Sequence, residues 1–370
     1  MMEEASSGEE GVNFGKSIIV PSVQELAKDL STLQLPPRYA RPHQDEELSV
    51  ISTDQSSLSV PVIDLGRLAA DDLTTTSLEL ESLHSACKEW GFFQVVNHGV
   101  SPTLLEEFNA EVVKFFELPY AEKKKLWQQP DNHEGFGQLF VVSEEQKLDW
   151  SDMFYITTLP CYLRRNDLFE KLPLKLRETM EAYTSMLKKL AMSILCHLAK
   201  ALNMDVKEMD ALFGEGVQSV RMNYYPPCPE PEKAMGFTPH SDADALTILF
   251  QLNETEGLQV RKGGRWVPVK PVPCGFVVNV GDITEIFSNG IYRSVEHRAV
   301  VNSAKARLSV ATFYSCKLDC LLGPAASTIG PHNPPVFRQV PVEMYFKEFF
   351  ARKLNGKSYL DFMRISCGDY

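Results

Sequence analysis

Two histidines and one aspartate stand where they could share a metal ion. His240 and Asp242, in TPHSDADALTIL, are two residues apart, so an extended backbone would project both from one face. A second imidazole, His297, follows much later in SVEHRAVVN. Two imidazoles and a carboxylate on one side of an ion leave three positions open, a ligand set that suits a non-haem Fe(II) centre. Further along, Arg307 and Ser309 in ARLSVATFY repeat the two-residue spacing. A guanidinium can grip a carboxylate through two parallel hydrogen bonds, and the neighbouring hydroxyl adds a third donor. The pair therefore reads as a dock for a small dicarboxylate beside the metal. Asn223 and Tyr225, in RMNYYPP, form one more such pair upstream of His240. A His-x-Asp pair alone more often marks a polar turn, so the reading rests on the whole ordered set.

These residues need strands to hold them. Beyond about residue 217, short β-type runs alternate with Gly, Pro and Asn turns: SVRMNYYP, ALTILFQL, LQVRK, RWVPVK, GFVVNVG, HRAVVN and RLSVATFY. At least seven strands without intervening helices predict an antiparallel barrel or jelly roll, in which strands distant in sequence become neighbours. The first half reads differently. Structure is expected to begin near Pro61, with a strand in VPVIDL (60–65), a helix through Leu78, Leu80, Leu83, Ala86 and Cys87, and a strand in FFQVVNHG (92–99) closed by a turn. One amphipathic helix is expected from Pro102 to about Trp127, with Lys123, Lys124 and Lys125 near its C-terminal end complementing the helix dipole. Others follow near 173–203 and 205–213, and helix returns near 341–364. Residues 1–20 read as a loose acidic tail and 40–60 as a polar surface connection.

Composition removes several classes of function. Of 370 residues, 37 are basic and 49 acidic, a net charge of −12 that offers no footprint for a nucleic-acid backbone or an anionic membrane. The stretch 186–202 is interrupted by Lys188, Lys189, His197 and Lys200 and fails as a membrane span. Eight scattered cysteines form no pair of CxxC knuckles, and Cys316 with Cys320 reads as a reduced surface or rim pair. The acidic N-terminus resembles neither a signal peptide nor a transit peptide, so a cytoplasmic protein is expected. Gly135, Phe136 and Gly137 begin like a nucleotide fingerprint, but no third glycine opens a helix; these glycines are expected instead to let the chain approach a substrate. His98 reads as structural, and His197 as a half-buried helix residue.

The ordered set His240, Asp242, His297, Arg307 and Ser309, with NYYPPC at 223–228 and WGFFQVVNHG at 90–99, resembles the plant 2-oxoglutarate and Fe(II)-dependent dioxygenases over nearly the whole chain. PSVQELA, the EGFGQ segment, LDWSDMF and NGIYRSVEHRAVVNS further resemble the branch with alkaloid O-demethylases, norcoclaurine synthase-like proteins and senescence-related dioxygenases. The resemblance implies an α+β protein: a distorted double-stranded β-helix (jelly roll) with an N-terminal helical layer and a C-terminal helix. It divides the chain into an extension (1–60), a mostly helical N-terminal region (61–210), the jelly-roll core (211–320) and a C-terminal helical segment (321–370), working as one catalytic unit. It also implies that His240, Asp242 and His297 hold Fe(II), that Arg307 and Ser309 bind the distal carboxylate of 2-oxoglutarate, and that Asn223 and Tyr225 complete that pocket. Phe136, Phe140, Phe154, Phe313 and Tyr314 are carried as substrate-pocket candidates, with core packing as the other reading.

The implied reaction couples decarboxylation of 2-oxoglutarate to succinate and CO2 with O2-dependent oxidation of a mid-sized plant metabolite, by hydroxylation or by O- or N-demethylation. Ascorbate is expected to stimulate it, and the protein to act as a monomer. The same motifs permit a dioxygenase acting on terpenoid or carotenoid-derived hormones. A non-oxidative condensing or binding protein on this fold is a further reading, against which the intact iron and cosubstrate residues count.

Overall fold

A computed structural model describes residues 17–28, 34–41, 58–129 and 132–365. Most of the expected acidic tail (1–16), most of the polar connection (42–57) and Cys367 lie outside the described residues. Residues 17–28 and 34–41 are more ordered than expected. Ser17 Oγ donates to Gln138 O and Ile18 N–H to Val141 O. The short helix α1 (Val23–Lys28) is held at its start by Asp152, which accepts from Ser22 Oγ and from the N–H groups of Val23 and Gln24. Val20, Val23, Leu35 and Tyr39 then bury against Trp150. Structure thus begins well before Pro61.

The remaining helices are α2 (Leu65–Leu68), α3 (Leu73–Glu89), α4 (Pro102–Glu117), α5 (Tyr120–Lys124), α6 (Asn166–Phe169), α7 (Leu174–Ala201), α8 (Val206–Phe213), α9 (Asp282–Phe287), α10 (Val342–Phe350) and α11 (Ser358–Met363). The strands are β1 (Val62–Asp64), β2 (Phe92–Val96), β3 (Gly135–Gly137), β4 (Asp152–Leu159), β5 (Gln218–Tyr225), β6 (Phe237–His240), β7 (Leu246–Gln251), β8 (Leu258–Lys262), β9 (Arg265–Pro268), β10 (Phe276–Val280), β11 (His297–Ala299), β12 (Arg307–Tyr314), β13 (Leu321–Leu322) and β14 (Val340–Pro341). All seven expected strands form. Several elements were not expected, among them the eight-residue β4, β6, which carries His240, and α9, whose residues are all buried and so show no amphipathic period. The helix expected over 102–127 is two helices. Pro119 lacks an N–H and drives Leu118 into an extended conformation (ψ 145°), which ends α4.

An eight-stranded sheet runs β1-β2-β10-β7-β12-β5-β4-β3, and a four-stranded sheet runs β6-β11-β8-β9. All pairs in them are antiparallel except β1 with β2. The two sheets make the jelly-roll core, with no closed barrel. Strands from the N-terminal region and from the β-rich core share the large sheet. Its outer face packs on α3, α4 and α7. Along α7, Leu176, Met180, Tyr183, Leu187, Leu190, Ile194 and Leu198 bury at helical spacing while Lys189 faces solvent. No helix among the described residues is long and apolar enough to cross a membrane.

Strand parity then decides which side chains reach the space between the sheets. On β12, Leu308, Val310 and Tyr314 join the core against the helices, whereas Arg307, Ser309, Ala311 and Phe313 line the inner cavity. On β5, Val220 and Met222 face the core, and Arg221, Asn223 and Tyr225 face the cavity.

Candidate active site

β6 and β11 pair with His240 directly opposite His297. Each imidazole Nδ1 lies beside a backbone carbonyl two residues earlier, His240 on Thr238 O at 2.7 Å and His297 on Val295 O at 3.2 Å. A proton on Nδ1 satisfies that carbonyl and leaves the Nε2 lone pair free. Both Nε2 atoms converge on Asp242 Oδ1, at 3.3 and 3.6 Å. Asp242 is oriented by its other oxygen, which accepts from Thr247 Oγ1 at 2.5 Å and Asn279 Nδ2 at 2.7 Å. Thr247 and Asn279 are themselves a cross-strand pair between β7 and β10. Phe92 meets the His297 ring edge-on at 5.2 Å.

Burial pushes the Asp242 carboxyl up, but His297 and His240 more than offset this and hold it well below the ordinary carboxylate range. Burial and His240 pull the His297 imidazole down to about 4, so it is neutral near pH 7. The three donor atoms lie within 4.8 Å of one another. A neutral imidazole and a carboxylate are what a divalent cation requires, and this donor set fits Fe(II).

The second cluster is built from cross-strand pairs. Between β12 and β5, Arg307 stands opposite Tyr225 and Ser309 opposite Asn223, so the four residues form one patch. Arg307 is buried; it donates to Ser309 Oγ at 3.4 Å and Gln251 Oε1 at 3.2 Å, and lies 5.1 Å from the Tyr225 ring. Its Nε, like Asn223 Oδ1, is buried with no protein partner. Burial lowers the Arg307 pKa, and no carboxylate acts to restore it. A buried guanidinium without a counter-charge is costly. The patch is therefore shaped for an anion, and it opens onto the same cavity as His240, Asp242 and His297.

A second cavity shares Arg221, Phe237, His240, Asp242 and Phe313 with the first and continues outward past Phe140, Tyr155, Phe349, Phe350 and Leu354. Phe140 adopts a left-handed backbone (φ 63°), and its ring stacks on Phe350 with 5.7 Å between centroids. Beyond Phe140 and Leu354 an outer cleft of ≈ 570 Å³ opens between residues 138–149 and 353–355. Deep in the second cavity, burial and then Asp242 push the Asp244 carboxyl up to about 8.

Of the aromatic candidates, Phe140 and Phe313 line this cavity and three do not. Phe136 and Phe154 are fully buried against Phe115 on the helix side of the sheet, and Tyr314 points the same way with its hydroxyl donating to Phe213 O. Tyr155, next to Phe154, takes the cavity position. Parity along β12 carried that signal: Tyr314 and Arg307 cannot share a face. The glycines flanking Phe136 build β3 rather than a substrate loop. Gly135 lies so close to Leu126 O that a Cβ would stand 2.7 Å from it. Cys316 is buried, not a surface residue, whereas Cys320 is half-buried. His98 is structural, as expected, accepting from Val100 N–H and bonding Cys274 O.

The sequence reading also missed Thr247, Asn279, Gln251 and Gly257. A Cβ on Gly257 would come within 2.7 Å of Arg307 Cδ and 2.8 Å of Val300 O, so only glycine lets the guanidinium stem pass.

With this geometry in hand, comparison with known proteins gives consistent results. Residues 216–315 match the 2OG-Fe(II) oxygenase superfamily, and 60–174 match the family described as non-haem dioxygenase in morphine synthesis N-terminal. Codeine O-demethylase of Papaver somniferum is 50% identical over 355 residues, 96% of this chain and 98% of that protein. Oxoglutarate-dependent flavonoid 7-O-demethylase 1 of Ocimum basilicum is 51% identical over 352 residues, 95% and 93% of the two chains. Among solved structures, JOX2 in complex with 2OG, Fe and JA superposes with a TM-score of 0.83 at 36% identity, covering 94% of this chain and 98% of that one.

Proposed function

The chain belongs to the 2OG-Fe(II) oxygenase superfamily, and on that premise we propose that its two joined cavities oxidise a mid-sized aromatic plant metabolite at a methyl ether or N-methyl carbon. His240 Nε2, Asp242 Oδ1 and His297 Nε2 would hold Fe(II) on one face. Arg307 and Ser309 would take the distal carboxylate of 2-oxoglutarate, with Asn223, Tyr225 and Gln251 closing the pocket around it. Bound together there, iron, 2-oxoglutarate and O2 supply the oxidation, in which the cosubstrate leaves as succinate and CO2 and a hydroxylated methyl carbon departs as formaldehyde.

The protein's share is placement. Thr247 and Asn279 fix Asp242, the carbonyls of Thr238 and Val295 fix the imidazoles, and Arg307 fixes the cosubstrate's far end. Phe313, Phe140, Phe349 and Phe350 give the substrate an apolar berth and exclude water. The observation that carries this reading is the uncompensated Arg307 guanidinium opening onto the same cavity as the convergent His, Asp and His donors.

The test is succinate formation that requires Fe(II), 2-oxoglutarate and a methylated aromatic substrate together, with mass spectrometry reading loss of a methylene or gain of one oxygen. Persistent activity in His240→Ala/Asp242→Ala without metal would defeat it. A hormone-modifying reading is favoured by the likeness to the JOX2 complex with JA, and a hormone panel in the same assay decides between them. The free state of the seven described cysteines supports a reducing, cytoplasmic setting. The acidic net charge supports small molecules over nucleic acid as partners. The protein is expected to act as a monomer, and ascorbate to stimulate turnover.

A further inference from the structure

His240 is oriented by the carbonyl of Thr238, and Thr238 is itself held from outside the small sheet. Thr238 Oγ1 donates to Asp149 Oδ1 at 2.6 Å, and Arg41 Nη2 donates to both of those oxygens at 2.8 Å, which closes a ring of hydrogen bonds. Its members come from separate parts of the chain: Arg41 from the segment 34–41, Asp149 from the LDWSDMF run before β4, and Thr238 from β6. Backbone bonds bring these parts together, from Arg41 N–H to Lys233 O, from Leu148 N–H to Arg38 O and from Trp150 N–H to Met235 O. The Arg41 and Asp149 side chains are 15% and 17% exposed, so solvent screens the pair less than at an open surface.

Strand β6 needs this support. It stands at the edge of its sheet, and its ladder with β11 loses register between His240 and Phe237, the stretch where Thr238 and Pro239 lie. On its other edge His240 meets Gly356 in an isolated bridge. Ladder bonds therefore fix the Thr238 peptide weakly, and the side-chain ring adds a restraint. Pro239 passes that restraint on: a residue before proline is confined to extended backbone, and the pyrrolidine locks its own φ. The orientation of the Thr238 side chain thus sets the carbonyl that lies 2.7 Å from His240 Nδ1.

We propose that Arg41 is a positioning residue for the metal centre: through Asp149 and Thr238 it holds the Thr238 carbonyl against His240 Nδ1 and so aims Nε2 at the metal. The assignment rests on the oxygenase reading and makes the segment 34–41 part of the scaffold of the site.

The test titrates metal-free, full-length protein with Mn(II), read by EPR, and records the visible spectrum of the Co(II)-loaded protein, whose bands report ligand geometry. Thr238→Val removes the hydroxyl and keeps the carbonyl; it should weaken Mn(II) binding by about tenfold, as losing a support behind a metal ligand does, and shift the Co(II) bands. Thr238→Ser keeps the hydroxyl and should bind as wild type does. Arg41→Met should weaken Mn(II) binding too, and Arg41→Met/Thr238→Val should lose no more than the larger single loss, because both changes break one ring. In Arg41→Lys the ammonium ends one bond short of Nη2, so it keeps a charge for Asp149 without the contact to Thr238; it should lose Mn(II) affinity as well, and it decides the outcome if Arg41→Met does not fold. Arg38 ties the same segment down through Glu144 and Ser143, and Arg38→Met should leave Mn(II) binding and the Co(II) spectrum unchanged. Urea unfolding confirms that each variant is folded.

Wild-type affinity and an unaltered Co(II) spectrum in Thr238→Val, or in the folded Arg41 variants, would overturn the assignment. Equal losses in Arg38→Met and Arg41→Met would overturn it too, since docking of the segment would then be the cause. Failure of the oxygenase reading has a different signature: wild-type protein would itself bind no Mn(II), or His240→Ala would bind it as tightly as wild type.

Discussion

Arg307→Met removes the guanidinium and leaves an unbranched side chain of similar length. In the free protein that guanidinium is buried, donating to Ser309 and Gln251 and facing Tyr225, with its Nε unpaired and no carboxylate acting on it. Breaking a desolvated charge pair costs about 2–5 kcal/mol, so 2-oxoglutarate should bind roughly 30-fold to several thousand-fold more weakly. The free protein should not suffer, because replacing an uncompensated buried charge with an apolar group is neutral or stabilising by about 1–4 kcal/mol.

Thermal unfolding of the Mn(II)-loaded protein, with and without cosubstrate, separates the two effects. Ligand at a hundredfold excess over Kd stabilises by about 2.7 kcal/mol. A chain of 370 residues unfolds with an entropy of roughly 0.8 kcal/mol/K, so the wild-type Tm should rise by about 3 °C. At the same cosubstrate concentration Arg307→Met should rise by no more than about 1 °C, from a starting Tm equal to or above that of wild type. A variant that keeps the full shift and binds 2-oxoglutarate within threefold of wild type would refute the argument, since Arg307 would then carry no part of the cosubstrate's charge.

Thr247→Val deletes one of two hydrogen bonds that hold Asp242 Oδ2 and should weaken Mn(II) binding by about 10- to 100-fold, read by an EPR titration. Phe136→Ala empties a fully buried core position and should cost about 3–5 kcal/mol in urea unfolding, whereas Phe313→Ala, at a partly open cavity position, should cost less and instead raise KM for the methylated substrate. Glu134 has one carboxylate oxygen accepting from Thr157 N–H and the other unpaired, and burial raises its pKa above the ordinary 4.5. The unfolded chain therefore loses this proton first, so the contribution is full below 4.5 and is lost as pH rises through the folded pKa. Glu134→Gln should flatten that decline, seen as a smaller fall in the urea midpoint between about pH 5 and pH 8 than wild type shows; an unchanged decline would remove Glu134 as its source.

The sequence by itself determined the chemistry and its cross-strand logic. Two-residue spacing placed Arg307 with Ser309 and Asn223 with Tyr225 on common faces, because a strand alternates its side chains with a period of two. The same alternation rules out Tyr314 beside Phe313, a signal present in the letters but not read from them. Turn residues and apolar runs marked the seven strands, and helical spacing marked α7, because both periodicities are local. The order of the segment at 17–28 was not legible, since its partners Gln138, Val141 and Asp152 lie more than a hundred positions away. Neither was α9, a helix buried on all sides.

Tertiary structure alone decided which distant residues meet. Thr247 and Asn279 became the supports of Asp242 through the register of β7 on β10, Gly257 became the passage for Arg307, and Tyr155 took the place expected of Phe154. No spacing rule encodes these, because register and sheet order come from how whole faces bury against one another. The same packing left Arg307 buried in the cavity wall without a carboxylate from the protein to balance it.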